Sequence, residues 1–286
     1  MSNFSYPYRV PVSEIVEYYE PKTADLLRRY GPGPRLHYHT GLVDQPRQLD
    51  IPSSILRKEI VAAQERLLRY VADVWRAPDT LSGDVVDVGC GLGGGALFWA
   101  QEFGAQVTAV TCVPSHIDWI ARFAREANVA RRVRPLLCDA VEIPGENDFD
   151  AAVAIDSTDH LPRKQLFERL SRVLRPGGRF FFTDCLLVQS DYDSVFSRHW
   201  HVQFGTLEEY LTVAEQAGFQ VDSVDDIASR VEYFYAMTQA MIRIEAAELS
   251  LTGTAKYTEA LETHALFRQG LIDGNYKYVV MSFLKK

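Results

Sequence analysis

A short apolar run carrying one acid, Val85-Val86-Asp87-Val88, breaks into Gly89-Cys90-Gly91-Leu92-Gly93-Gly94-Gly95 and resumes as Ala96-Leu97-Phe98-Trp99. A strand, a tight glycine turn and a helix start in that order let backbone approach a nucleotide-like ligand closely. Read as Gly89-x-Gly91-x-x-Gly94, the letters fit the dinucleotide fingerprint, which also wants an acid roughly 20 positions on for the ribose hydroxyl. The next strand candidate, 106–110, ends in Thr111-Cys112, and no acid stands there. A bare strand-to-helix turn that binds nothing has the same letters.

The organisation of the rest of the chain narrows these readings. From residue 80 onward, β-rich runs at 85–88, 106–110, 133–138, 149–155, 179–183, 220–224 and 276–284 alternate with helical patterns at 96–103, 114–128, 161–174 and 206–217. That alternation predicts an α/β fold with a mostly parallel sheet and crossover helices. Pro114 in a first turn and Gly104 and Gly218 at helix ends set boundaries. Residues 1–80 hold two long helical patterns, 12–30 and 53–75, and no strand, which predicts an α-helical N-terminal lid that also offers a surface for homo-oligomers. Residues 81–286 then form the ligand-binding domain, with helical cap insertions around 186–205 and 229–272.

At 286 residues the chain suits one large domain or one domain with a lid. Its net charge of −8 argues against nucleic acid or an anionic membrane as partner. The start, Met1-Ser2-Asn3-Phe4-Ser5-Tyr6-Pro7, lacks a basic region followed by an apolar one, and no run is long enough to span a bilayer, so a cytoplasmic location is expected. Cys90, Cys112, Cys138 and Cys185 form no CxxC pair, which indicates neither a disulfide framework nor a metal site. His37 and His39, two apart with no third ligand nearby, are weak metal candidates.

Read as Asp87-x-Gly89-x-Gly91-x-Gly93, the loop resembles motif I of class I S-adenosyl-L-methionine (SAM) dependent methyltransferases. Leu137-Cys138-Asp139-Ala140 after the third strand, 149–156 ending in Asp156, and the turn Leu174-Arg175-Pro176-Gly177-Gly178 follow in that family's order. The resemblance implies a Rossmann-like seven-stranded mostly parallel sheet whose last strand inserts antiparallel, SAM as cofactor and S-adenosyl-L-homocysteine (SAH) as product. It further implies that Asp87 organises the site around the cofactor's amino group, that Gly89 and Gly91 admit its carboxypropyl end, and that Asp139 accepts from the adenine amino group. Cys90, Thr111, Cys112, His116, Ala140 and Asp156 are the remaining cofactor-binding positions expected. Many members hold the ribose with an acid after the second strand; Val110-Thr111-Cys112 resembles instead the subgroup acting on lipids and terpenoids.

Tyr18-Tyr19, Leu36-His37-Tyr38-His39-Thr40-Gly41, Asp156-Ser157-Thr158 and Asp273-Gly274-Asn275-Tyr276-Lys277-Tyr278-Val279 are similar to terpenoid C-methyltransferases, among them those acting on geranyl diphosphate and on the geranyl chain of teleocidin precursors. The implied reaction is methylation of an alkene carbon of a small terpenoid or prenylated molecule, prenylated indole alkaloids being favoured. C-methylation of a prenyl diphosphate and O- or N-methylation of a small metabolite are the alternatives. An alkene that takes up a methyl cation equivalent becomes a carbocation, which needs aromatic faces and then a base or an internal nucleophile. Tyr18, Phe196, Trp200, Phe204, Tyr233 and Tyr235, with Tyr192 and Phe234 beside them, are the aromatic candidates, and Phe196, Trp200 and Phe204 recur at helical spacing. Asp156 is the expected proton acceptor and His160 the second candidate, since imidazole titrates near neutral pH; Tyr19 is implied to close over the methyl group. The absence of a Lys/Arg cluster near the aromatic stretch favours a neutral substrate over a diphosphate.

Overall fold

In a computed structural model of the chain, residues 10–46, 48–188 and 194–286 are described. Tyr192 and the stretch from Met1 to Pro7 lie outside the described residues. Four helices come first: α1 (Val12–Tyr19), α2 (Thr23–Tyr30), α3 (Ser53–Val74) and α4 (Ala77–Thr80). The alternating part runs β1 (Asp84–Val88), α5 (Gly94–Glu102), β2 (Gln106–Thr111), α6 (Pro114–Glu126), β3 (Val133–Leu137), β4 (Phe149–Ile155), α7 (Arg163–Val173) and β5 (Leu174–Leu187). It continues with α8 (Ser194–Trp200), β6 (Gly205–Thr206), α9 (Leu207–Gln216), β7 (Phe219–Asp226), α10 (Ala228–Glu248), α11 (Ala255–Ile272) and β8 (Tyr276–Lys285).

Seven strands lie in the order β3-β2-β1-β4-β5-β8-β7, and the two-residue β6 pairs with β5 beside them. β1 through β5 are parallel, and β8 enters antiparallel between β5 and β7. The sheet is therefore the expected one with a short eighth strand added. Successive residues of a strand face opposite ways, so Val85, Ala151, Val153 and Phe181 fall in one apolar layer while Val86, Ala152, Phe180 and Phe182 fall in the other. α3, α5 and α6 cover the first layer, and Leu166, Phe167 and Leu170 of α7 with Tyr210 and Val213 of α9 cover the second. Both faces are dry along the central strands, which is why β1 and β4 read as nearly unbroken apolar runs.

Two departures from the sequence expectation exceed two residues. The pattern at 12–30 is two helices, because Pro21 has no N–H to continue α1; Thr23 Oγ1 instead donates to the Tyr19 carbonyl at 3.2 Å. β5 is longer than 179–183 because β8 pairs with it from Arg179 to Leu187 and holds Asp184 and Cys185 extended. No described helix is long and apolar enough to cross a membrane.

α2 is tied to α10 by one buried carboxylate. Glu245, whose side chain is fully buried, accepts from Arg29 Nη2 at 2.6 Å, Arg29 Nε at 2.9 Å and Arg28 Nη1 at 3.2 Å. Glu245→Ala is expected to cost less than the roughly 3–5 kcal/mol of breaking a fully buried pair, because Arg29 keeps some access to water. Limited trypsin digestion should show several-fold faster cleavage after Arg28 and Arg29; cleavage at the wild-type rate would contradict this role for the contact.

Candidate functional site

The strand order reverses between β1 and β4, and ligands of open α/β sheets bind outside the strand ends at such a reversal. Asp87 stands near the end of β1 and Asp156 directly follows β4. The glycine loop gives backbone two things that a side chain would forbid. Gly91 has φ +54° with no atom within 4 Å of a built Cβ, so it borders open space. A Cβ at Gly94 would lie 2.2 Å from the Leu36 carbonyl oxygen and 2.6 Å from His37 Nδ1, so glycine lets the 36–41 segment rest on the start of α5.

A first cavity opens there, lined by Asp87, Gly89, Cys90, Gly91, Thr111, Cys112 and His116 among others. Asp87 is 3% exposed, its Oδ2 has no hydrogen-bond partner, and burial raises its pKa to about 7. A buried carboxylate oxygen left open beside a cavity is a receptor for an ammonium group. That orphaned oxygen and the empty space over Gly91 fit the amino and carboxypropyl end of SAM. Thr111 Oγ1 accepts from Val113 N at 3.2 Å and stands 3.4 Å from His116 Nδ1. Asp139 accepts from Val141 N at 3.2 Å and, with Cys112, Cys138 and Ala140, lines a smaller recess beyond Thr111.

A second cavity shares Tyr19, Tyr38, His39, Asp156 and His160 with the first. Asp156 has a left-handed backbone, φ 49°, and is fastened on all sides. Its N–H donates to the Thr183 carbonyl at 3.0 Å. Its carboxylate accepts from Thr40 N at 2.7 Å, Thr183 Oγ1 at 3.1 Å and Tyr278 Oη at 2.5 Å. Burial raises its pKa, against the opposing pull of those donors. His160 Nδ1 lies 2.9 Å from the His201 carbonyl, which only accepts, so the proton sits on Nδ1 and Nε2 accepts from Tyr19 Oη at 3.0 Å. Burial lowers His160 to about 4 and raises Tyr19 well above its usual range.

The second cavity is aromatic and acidic. Tyr18, Trp200, Phe204, Phe234, Tyr235 and Phe267 line it, together with Asp156, Asp159 and Asp184; among the described residues no lysine or arginine does. Two expected members are elsewhere. Phe196 stacks on Trp200 at 5.4 Å and meets Tyr276 edge-to-face at 5.5 Å, and it is not among the residues lining the cavity. Tyr233 lies on the other side of α10, under Arg268 at 5.8 Å and beside an outer groove with Met237. Phe204 does line the cavity, but from the chain after α8, which stops at Trp200. Among the described residues no three His, Cys, Asp or Glu side chains converge to hold a metal; His37 instead contacts Glu65 at 2.8 Å.

Thr40, Asp159, Asp184 and Tyr278 belong to the site and were not among the candidates. Thr40 and Tyr278 sit inside segments that carry the family resemblance. The only local signal for Asp159 and Asp184 is an acid just past an apolar strand, which many loops share.

Comparison with known proteins agrees with this arrangement. A family profile described as "Methyltransferase domain" matches residues 85–178. The chain is 31% identical over 190 residues to 27-O-demethylrifamycin SV methyltransferase of Amycolatopsis mediterranei, covering 60% of this chain and 70% of that one. It is 27% identical over 259 residues to geranyl diphosphate 2-C-methyltransferase of Streptomyces ambofaciens, covering 86% and 82%. The fold is similar to that of geranyl diphosphate C-methyltransferase from Streptomyces coelicolor A3(2), solved with Mg2+, geranyl-S-thiolodiphosphate and SAH, with a TM-score of 0.79 at 21% identity over 98% of this chain and 100% of that one.

Gly91→Val should fill the space over the loop and remove SAM binding, read by calorimetry, with the circular dichroism spectrum unchanged; retained affinity would contradict this placement of the loop. Asp87 must be charged to hold an ammonium group, and in the free protein it takes up a proton below about pH 7. SAM affinity is therefore expected to weaken as pH falls from 7 to 5, by up to about tenfold per unit. Asp87→Asn should be weak and flat across that range, and a wild-type protein with no such slope would contradict the role of Asp87.

Proposed function

This chain belongs to the class I SAM-dependent methyltransferases, and on that premise we propose that it methylates an alkene carbon of a prenyl or terpenoid chain borne by a neutral small molecule, of the prenylated indole type. The observation that carries this reading is the second cavity: rings and acids line it, no lysine or arginine does so among the described residues, and the ammonium of Lys22 is covered by the Tyr18 ring, 3.2 Å from its centroid. Diphosphates are held by arginine and lysine. The 27% identical relative named for geranyl diphosphate supports carbon as the acceptor atom, and the cavity's polarity supports a different head group.

When bound, SAM supplies an electrophilic methyl group, and the protein's part is to hold, shield and deprotonate. Asp87, Gly91, Thr111 and Asp139 hold the cofactor's amine, carboxypropyl end and nucleoside. Tyr19 and His160, standing in both cavities, mark where donor and alkene meet. The faces of Trp200, Tyr235, Phe204 and Phe267 stabilise positive charge on the isoprenoid chain. The structure favours His160 over Asp156 as the final proton acceptor: three donors already occupy Asp156, whereas His160 Nε2 is unprotonated and meets only the Tyr19 hydroxyl. A proton released from the carbon next to the cation passes to Tyr19 Oη as the Tyr19 proton moves to Nε2. Burial, which keeps His160 neutral, keeps it ready at every pH well above about 4.

O-methylation is the second reading, favoured by the 31% identity to an enzyme named for methylating 27-O-demethylrifamycin SV; the same Tyr19–His160 pair would then take a hydroxyl proton. Methyl-labelled SAM incubated with prenylated indoles, prenylated phenols and prenyl diphosphates separates the readings. Label on a chain carbon of the neutral substrates is expected, and label on oxygen or nitrogen would overturn the proposal. Tyr19→Phe and His160→Asn should each lower kcat by about 10²-fold or more, with SAM affinity within about twofold of wild type. Unchanged kcat in both would remove the pair from the mechanism.

A further inference from the structure

Resting on that reading, we infer that the methyl acceptor carries, besides its isoprenoid chain, a neutral N–H or O–H group, and that Asp159 is the residue that selects it. Asp159 lies in the short turn Thr158–His160, is 7% exposed and lines the second cavity. Its own N–H donates to Asp184 Oδ2 at 3.0 Å and the His160 backbone N–H supports its carboxylate, while its Oδ1 has no hydrogen-bond partner. The nearest imidazole nitrogen, His160 Nε2 at 3.8 Å, carries no proton to give, since the ring's proton is on Nδ1 facing the His201 carbonyl.

The other two carboxylates of the cavity are already supplied. Asp156 accepts from Thr40, Thr183 and Tyr278. Asp184 accepts from Thr158 Oγ1, from Asp159 N and from Cys185 N at 2.8 Å. A second open acceptor stands in the same wall: His39 Nδ1 donates to the Thr40 carbonyl at 2.7 Å, which leaves Nε2 bare, buried and without a partner. A buried acceptor left without a donor is costly, more so when it is charged. A donor on the substrate recovers that cost, and an analogue lacking the donor leaves it in place, so such a site rejects the analogue strongly. The lining itself gives an anionic head bare acceptors and no donor from lysine or arginine among the described residues.

The test uses 3-geranylindole and its N-methyl derivative as probes, titrated by calorimetry into the full-length protein saturated with SAH. Wild type should bind the N–H form at least tenfold more tightly than the N-methyl form. Asp159→Ala should lose that preference by weakening only the N–H form, and Asp159→Asn, which keeps an acceptor oxygen, should fall between. Asp159 does not line the first cavity, so an SAH affinity within about twofold of wild type certifies each variant as folded. Equal binding of the two probes by wild type, binding of neither, or a preference that survives in Asp159→Ala would overturn the inference. Tighter binding of geranylamine than of either indole would overturn it in favour of a cationic head. The reaction reading is judged separately by where the label goes: a binding preference with no carbon-attached label removes C-methylation and leaves the donor contact standing.

Discussion

The carboxylate of Asp156 joins parts of the chain that share no sequence neighbourhood. Its backbone turns left-handed at the end of β4, φ 49°, and its oxygens take the Thr40 amide, the Thr183 hydroxyl of β5 and the Tyr278 hydroxyl of β8. A non-glycine residue in that conformation costs of order 1 kcal/mol or more and persists only where its surroundings hold it; three hydrogen bonds to the side chain do so here. The consequence is spatial. Thr40 is drawn to the end of the sheet, bringing with it His39 and Tyr38, which with Tyr19, Asp156 and His160 line both cavities.

Burial then sets the protonation states on either side of that wall. His160 and His39 are held near 4 and 3, so both imidazoles are neutral acceptors at physiological pH. Asp87 and Asp159 are raised to about 7, Asp87 by burial and Asp159 by burial and the nearby Asp156. The first cavity thus offers an acid to an amine, and the second offers rings and acceptors to an apolar molecule with a donor on it. Neither property needs a basic residue, in keeping with an acidic chain of net charge −8.

The α/β frame and the glycine loop were legible because their signals are local. Strand period, glycine punctuation and helix-start proline lie within a dozen residues of what they specify, and 149–155 is β4 to the residue. The junction was less so, since Tyr19 meets His160 across 141 positions, Thr40 meets Asp156 across 116 and Tyr278 meets Asp156 across 122. Of the six aromatic candidates, Tyr18, Trp200, Phe204 and Tyr235 line the second cavity, and Phe196 and Tyr233 lie outside its lining. Tyr233 and Tyr235 are two apart on a helix, about 200° around its axis, and so cannot face one cavity together. Phe196, Trp200 and Phe204 kept helical spacing, but α8 ends at Trp200, and Phe204 reaches the cavity from the chain beyond.

A crystal structure of the protein with SAH bound tests most directly the claim that one carboxylate joins a donor cavity to an acceptor cavity. The ligand's amine is expected on Asp87 Oδ2, its sulfur at the Tyr19–His160 junction facing the aromatic cavity, and Asp156 still holding Thr40, Thr183 and Tyr278. A sulfur directed away from that cavity, or an Asp156 released from Thr40 to bind the ligand, would contradict it.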